Sequence, residues 1–335
     1  MNTEITIIQI LFGIIALGIG AELIVRGATS LAKTYKVSGY FIGFTIVAFG
    51  TSVPELSATL SAIMYPAIDS VSIALGNIIG SNIANILLIL GLIAIFKDIE
   101  FGNQKEKKNE TIWVLIITII VVGTFVILTE TQSSSPVTIY VGVGLICMLL
   151  AYLVYEFLMQ RDDLQEDTKN IQNYSQIVSY IFLLIGLILL IGGSYYFVLG
   201  SKNLAVSFEI PEAIIGFTLV AFGTSLPELA TGIVAAVKQQ TKMAVGTILG
   251  SNVYNIVGIF AVILLAKGDE FPTSIDLYLE SLIFMSFVTI IFTLKIRKGL
   301  KIGNIYFRPY RLGKKTGFIF LTFYLAYIVY SYFGL

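Results

Sequence analysis

Ten apolar runs follow one another along this 335-residue chain, at roughly residues 5–25, 38–62, 70–95, 111–129, 136–158, 176–199, 211–236, 243–266, 274–294 and 316–334. A bilayer's hydrocarbon core takes about 20 helical residues to cross, and the runs have that length. With 56% hydrophobic and only 13% charged residues, and a mean hydropathy of +0.89, the chain cannot supply the polar surface of a soluble fold this large. It reads as an all-α polytopic membrane protein with ten transmembrane helices. The first run starts near Ile5 without a basic leader, and no small-residue cleavage pattern follows it, so it reads as a retained span.

Composition removes several function classes. The net charge is zero, so nothing global points to nucleic acid. Histidine is absent, which excludes His-ligated zinc and haem, His proton shuttles and Ser-His triads. The single cysteine, Cys147, lies inside an apolar run and reads as a packing residue. The polar segment 161–175 carries Asp162, Asp163, Glu166 and Asp167 but lacks the Asp-x-Asp-x-Asp-Gly spacing of a calcium loop. It reads as a short cytoplasmic linker. No cofactor and no protein partner are expected.

Lysine and arginine sort over the ten spans. One side carries 19 of the 21 basic residues, and only Lys202 and Lys267 fall on the other. The positive-inside rule places the 19 in the cytoplasm and both termini outside, in a cell-membrane protein.

The chain also repeats itself. Residues 43–62, GFTIVAFGTSVPELSATLSA, recur at 216–235 as GFTLVAFGTSLPELATGIVA, with 13 of 20 positions identical. Residues 76–91, GNIIGSNIANILLILG, recur at 246–261 as GTILGSNVYNIVGIFA, with 8 of 16 identical. Weaker traces pair Gly20 with Gly193, Gly27 with Gly200 and Leu31 with Leu204. Residues 1–160 then form a first five-helix repeat and 176–335 a second. Five is odd, so the second copy enters the membrane the opposite way, the inverted plan of secondary transporters with sites near the midplane.

Each copy places Gly-Thr-Ser-x-Pro-Glu in the middle of a span. Pro54 and Pro227 lack the amide that a helix would donate to Gly50 and Gly223, so helices 2 and 7 are expected to break. The expected result is an unwound turn releasing backbone oxygens over 48–51 and 221–224. Glu55 and Glu228 are costly at membrane depth and mark an ion path. No Lys or Arg lies in the central part of a span to pair with them, which leaves a proton or a metal ion as countercharge. Ser81 and Asn85 share one helix face, as do Ser251 and Asn255. Asn82 and Asn252 lie about 100° round and read as packing residues, as do the small-xxx-small pairs Gly76/Gly80 and Gly246/Gly250. The candidate donors are thus Glu55, Glu228, the hydroxyls of Thr51, Ser52, Ser81, Thr224, Ser225 and Ser251, the amides of Asn85 and Asn255, and backbone carbonyls. An all-oxygen set suits Ca²⁺ or the similarly sized Na⁺.

At these residues the chain resembles the cation/calcium exchanger superfamily, specifically its prokaryotic sodium/calcium exchanger branch. GTSVPE and GTSLPE, each followed by a GSNxxN stretch, are similar to that family's two alpha-repeats. The resemblance implies a ten-helix inverted-repeat fold that exchanges Na⁺ for Ca²⁺ by alternating access. It also implies that Glu55 and Glu228 bind Ca²⁺ with backbone oxygens of Thr51 and Thr224. Sodium would share those glutamates, with Ala48, Thr51 and Ser81 on one side and Ala221, Thr224 and Ser251 on the other, while Asn85 and Asn255 line the middle. Some prokaryotic relatives carry an aspartate where this chain has Asn255, which limits the central charge here to two carboxylates.

Three rival functions fit parts of the pattern. A proton/calcium antiporter would use the same two glutamates, but protons do not need so many hydroxyls. A cation channel also lines its path with glutamates and carbonyls, against which the inverted duplication speaks. An intramembrane enzyme with Ser52 or Ser225 as nucleophile has no His or in-span Lys to activate it.

Overall fold

A computed structural model describes residues 3–64, 70–100, 110–131, 135–159, 174–207, 221–268, 276–302, 305–307, 309 and 311–333. Most of the acidic linker, with Asp162, Asp163, Glu166 and Asp167, lies outside the described residues, as does the start of the second motif copy, 216–220. Among the described residues, eight helices are long and apolar enough to cross a membrane: Glu4–Tyr35, Gly39–Leu60, Ala74–Phe96, Thr111–Glu130, Pro136–Leu158, Gln176–Ser201, Thr241–Lys267 and Tyr278–Arg297. Of the two remaining runs, one is represented by the shorter apolar helix Leu226–Val237 and the other by the 20-residue helix Lys314–Phe333. The runs fold as helices because lipid offers no partner for a backbone amide or carbonyl. Buried in-span hydroxyls are absorbed the same way: Thr118, Thr129 and Thr289 each donate to the carbonyl four residues earlier, at 2.8, 2.9 and 2.8 Å.

The described chain forms two compact units, Met1–Pro54 with Glu156–Thr247, and Glu55–Tyr155 with Ile248–Leu335. Each unit draws on both sequence repeats, and all three divisions fall inside helices.

In the first unit, α1 (Thr3–Tyr35) packs along α9 (Gln176–Ser207). Glycines spaced by seven, 13, 20 and 27 on α1 and 186, 193 and 200 on α9, bring the two backbones together. A Cβ on Gly20 would sit 2.8 Å from the Gly186 carbonyl, and one on Gly186 would sit 2.8 Å from that of Gly20. In lipid, where burial of apolar surface contributes little between helices, such close approach is what holds a pair together. Leu17, Ile24, Val25, Leu190, Leu226 and Met243 fill the core around this seam.

The second unit is built on α5 (Ser70–Ala84), α6 (Leu90–Phe96), α7 (Glu110–Glu130) and α8 (Ser135–Met159). The C-terminal helices Asp276–Lys298 and Lys314–Phe333 complete it. The structure adds two short ladders to the all-helical expectation. Ile99–Glu100 pairs antiparallel with Arg311–Leu312, and Leu300–Ile302 with Ile305–Phe307. The first is clamped by an Arg311–Asp98 ion pair at 2.5 Å and by Lys295, whose Nζ donates to the Arg311 carbonyl at 2.7 Å.

Candidate cation site

The first motif copy is a helix interrupted twice. α2 (Gly39–Ile42) starts at Ser38, whose hydroxyl accepts from the Phe41 amide at 3.0 Å. It loosens into a π-helical turn, Gly43–Val47, and resumes as α3 (Ala48–Thr51). Ser52 leaves the helix (φ −83°, ψ 2°), and α4 (Val53–Met64) begins with Pro54 and Glu55 in its first turn. Over its described residues the second copy repeats the later part: α10 (Ala221–Thr224), then Ser225 (φ −89°, ψ 3°), then α11 (Leu226–Val237) with Pro227 and Glu228 in its first turn. A proline without an N–H is tolerated at that position, and an acidic side chain there complements the positive end of the helix.

The break is narrower than the sequence suggests. Ala48–Thr51 and Ala221–Thr224 each keep a helical turn, so the unwinding is confined to one serine per copy. The Ala48 carbonyl accepts the Ser52 amide at 3.0 Å and the Thr51 hydroxyl at 3.3 Å. The carbonyl that Pro227 deprives of its amide, that of Gly223, accepts a hydrogen bond from the Ser194 hydroxyl of α9. Ser194 carries no signal in either motif. What distinguishes it is a difference between the repeats, because the matching position on α1 is Ala21.

Within the first unit, Thr51, Ser52, Ser225 and Glu228 are buried, and Thr224 is half-buried. The Ser52 hydroxyl donates to Glu228 Oε1 at 3.5 Å, so the Gly-Thr-Ser of the first copy meets the glutamate of the second across 176 residues of sequence.

Within the second unit, Glu55 (1% exposed), Ser81, Asn85, Ser251, Asn252 and Asn255 are all buried. Asn85 Nδ2 donates to Asn252 Oδ1 at 2.9 Å, tying the two GSNxxN stretches together. Asn82 turns back onto its own helix and donates to the Ile78 carbonyl at 2.8 Å. The duplicated asparagines, both read from sequence as packing residues, therefore have different roles. Asn77, also missed, donates to the Glu55 carbonyl at 3.3 Å; its counterpart Thr247 satisfies itself on Met243 of its own helix. Two π-helical turns begin here, Asn85–Ile89 and Tyr254–Ile259, and such bulges frequent functional sites. The two glycine pairs also diverge. A Cβ on Gly246 would lie 2.2 Å from the Tyr40 carbonyl, in the first unit, whereas one on Gly76 or Gly80 meets nothing within 4 Å. The packing role expected of Gly76 and Gly80 is thus not found among the described residues.

The oxygen donors of this second group would suit a hard cation. Ser81 Oγ, Asn85 Oδ1 and both polar atoms of Asn255 are buried with no hydrogen-bond partner among the described residues. A buried polar atom without a partner costs about 1–3 kcal/mol, and a cation coordinated to the Ser81, Asn85 and Asn255 oxygens would remove that cost for them. Among the described residues no three His, Cys, Asp or Glu side chains cluster, so the donors are mainly neutral oxygens. Of the sequence-selected residues, the structure joins Ser52 to Glu228 in one unit and sets Glu55 with Ser81, Asn85, Ser251 and Asn255 in the other.

Comparison with known proteins bears on what this arrangement is for. The sodium/calcium exchanger protein family matches residues 5–158 and 178–333. An uncharacterised membrane protein of Methanocaldococcus jannaschii is 36% identical over 75% of this chain and 79% of its own. A sodium/calcium exchanger of Methanosarcina acetivorans is 27% identical over 96% of both chains. Among solved structures, the sodium-calcium exchanger NCX_Mj, soaked with 2.5 mM Na⁺ and 10 mM Sr²⁺, superposes with a TM-score of 0.79 at 30% identity, over 98% of this chain and 99% of its own. A multi-pass helical chain with this oxygen-lined, twice-written motif and these matches belongs to the sodium/calcium exchanger family, in the prokaryotic branch of the cation/calcium exchanger superfamily.

Proposed function

We propose that the chain is a secondary antiporter that exchanges Na⁺ for Ca²⁺ by alternating access, at a midplane site to which Glu55 and Glu228 each contribute a carboxylate. The observation that carries this reading is the Ser52–Glu228 hydrogen bond, a buried hydroxyl–carboxylate contact between the two motif copies. Two carboxylates neutralise one Ca²⁺ or two Na⁺, and either cargo relieves a site that is costly to leave empty. Thr51, Ser52, Ser81, Thr224, Ser225, Ser251, Asn85 and Asn255, with the carbonyls of Ala48 and Ala221, would complete the oxygen shell. The ten helices would form two inverted repeats with both termini outside, an orientation supported by the 19 basic residues on one side.

The test is Ca²⁺ uptake into proteoliposomes driven by an imposed Na⁺ gradient at fixed pH, with the membrane potential clamped and then released. Uptake that follows the Na⁺ gradient is expected. Uptake driven only by a pH gradient would replace this reading with proton/calcium antiport using the same glutamates, and unitary currents would replace it with a channel.

A further inference from the structure

Several buried threonines of the described spans satisfy themselves on their own helix. The hydroxyls of Thr118, Thr129, Thr231, Thr247 and Thr289 each bond the carbonyl four residues earlier, at 2.8–3.0 Å. Thr59, on α4, does not. It is 0% exposed, and its Oγ1 has no hydrogen-bond partner among the described residues. The local reason is visible: the carbonyl four residues back is that of Glu55, which already accepts from Asn77 Nδ2 at 3.3 Å. A buried hydroxyl with no partner destabilises the fold, a cost that a bound ligand would remove.

The position of Thr59 identifies that ligand. Residues four apart share a helix face with their Cβ atoms about 5–6 Å apart, so Thr59 stands one turn beyond the Glu55 side chain. Helices α4 and α5 are successive, and Asn77 of α5 reaches the Glu55 carbonyl of α4. Ser81 and Asn85 follow Asn77 at four-residue steps on α5, and Thr59 follows Glu55 by the same step on α4, so each helix sets its oxygens one turn apart on one face. The second repeat has Gly232 at the matching position, so this hydroxyl belongs to the Glu55 half alone.

We infer that Thr59 is a cation ligand outside the duplicated donor set, meeting Na⁺ or Ca²⁺ on the way to or from Glu55. The inference rests on the exchanger reading of Glu55. It is tested with Thr59→Val, which keeps the shape and removes the hydroxyl, and Thr59→Ser, which keeps the hydroxyl. Each variant is purified for melting with and without Ca²⁺ and reconstituted for exchange. Thr59→Val is expected to melt in chelator at the wild-type temperature or above, because it removes an unpartnered polar group. Its half-saturating Ca²⁺ should rise roughly three- to ten-fold, and the Ca²⁺-induced increase in melting temperature should shrink. Thr59→Ser should stay near wild type on all three measures. Unchanged Ca²⁺ half-saturation in Thr59→Val, or an equal change in both variants, overturns the inference while leaving the exchanger reading intact. A wild-type protein that neither exchanges Ca²⁺ nor is stabilised by it overturns both.

Discussion

Asn252→Ala separates a packing asparagine from a bonding one. Asn85 and Asn252 are 1% and 3% exposed, and their amides meet at 2.9 Å. Hydrogen bonds between membrane helices average about 0.6 kcal/mol and reach about 1.7 kcal/mol. The deletion also leaves the buried Asn85 amide nitrogen without its acceptor, which adds part of the roughly 1–3 kcal/mol cost of an unpartnered group. The expected loss is therefore about 1.5–3 kcal/mol. Asn82→Ala removes a side chain of the same size, also 3% exposed, but its amide bonds only the Ile78 carbonyl of its own helix. That loss should be about 0.5 kcal/mol, within the range for a local bond. The assay is reversible unfolding of the purified protein in mixed micelles, run as a double-mutant cycle. Asn85→Ala and Asn252→Ala should couple by about 1 kcal/mol, and Asn85→Ala with Asn82→Ala by close to nothing. If Asn82→Ala costs as much as Asn252→Ala, or the first pair shows no coupling, both asparagines are packing residues and the cross-tie carries no energy.

Three further outcomes can be measured. Glu55→Gln and Glu228→Gln should each abolish Na⁺-driven Ca²⁺ uptake while leaving melting in chelator near wild type; normal uptake in either variant refutes the site. Gly246→Ala drives a Cβ to 2.2 Å from the Tyr40 backbone carbonyl and should destabilise by about 1–3 kcal/mol, whereas Gly76→Ala, with open space around it, should be neutral or slightly stabilising in thermal unfolding. Ser194→Ala releases the Gly223 carbonyl and should raise half-saturating Ca²⁺ by roughly five-fold, about 1 kcal/mol, with Ser194→Thr retaining wild-type behaviour in the same uptake assay.

The sequence by itself determined the membrane class, the two motif copies and the donor chemistry. Each follows from what lipid forbids. A glutamate, a proline and hydroxyls inside an apolar run are expensive, so their presence is information, and their repetition doubles it. Tertiary structure decided which of those polar groups meet. Asn82 and Asn252 occupy matching places in the repeats, yet one bonds its own helix and the other bonds Asn85. Ser194 lies outside both duplicated stretches and Asn77 at a position where the two copies differ, and each takes its role from a backbone carbonyl supplied by a different helix. Thr59 looks like any in-span threonine until Asn77 is seen on the carbonyl it would have used. Periodicity and composition report whether a side chain suits a helix in lipid; they carry no record of which acceptor a neighbouring helix has already taken, because that depends on contacts between residues far apart in sequence, such as Ser52 and Glu228, 176 positions apart.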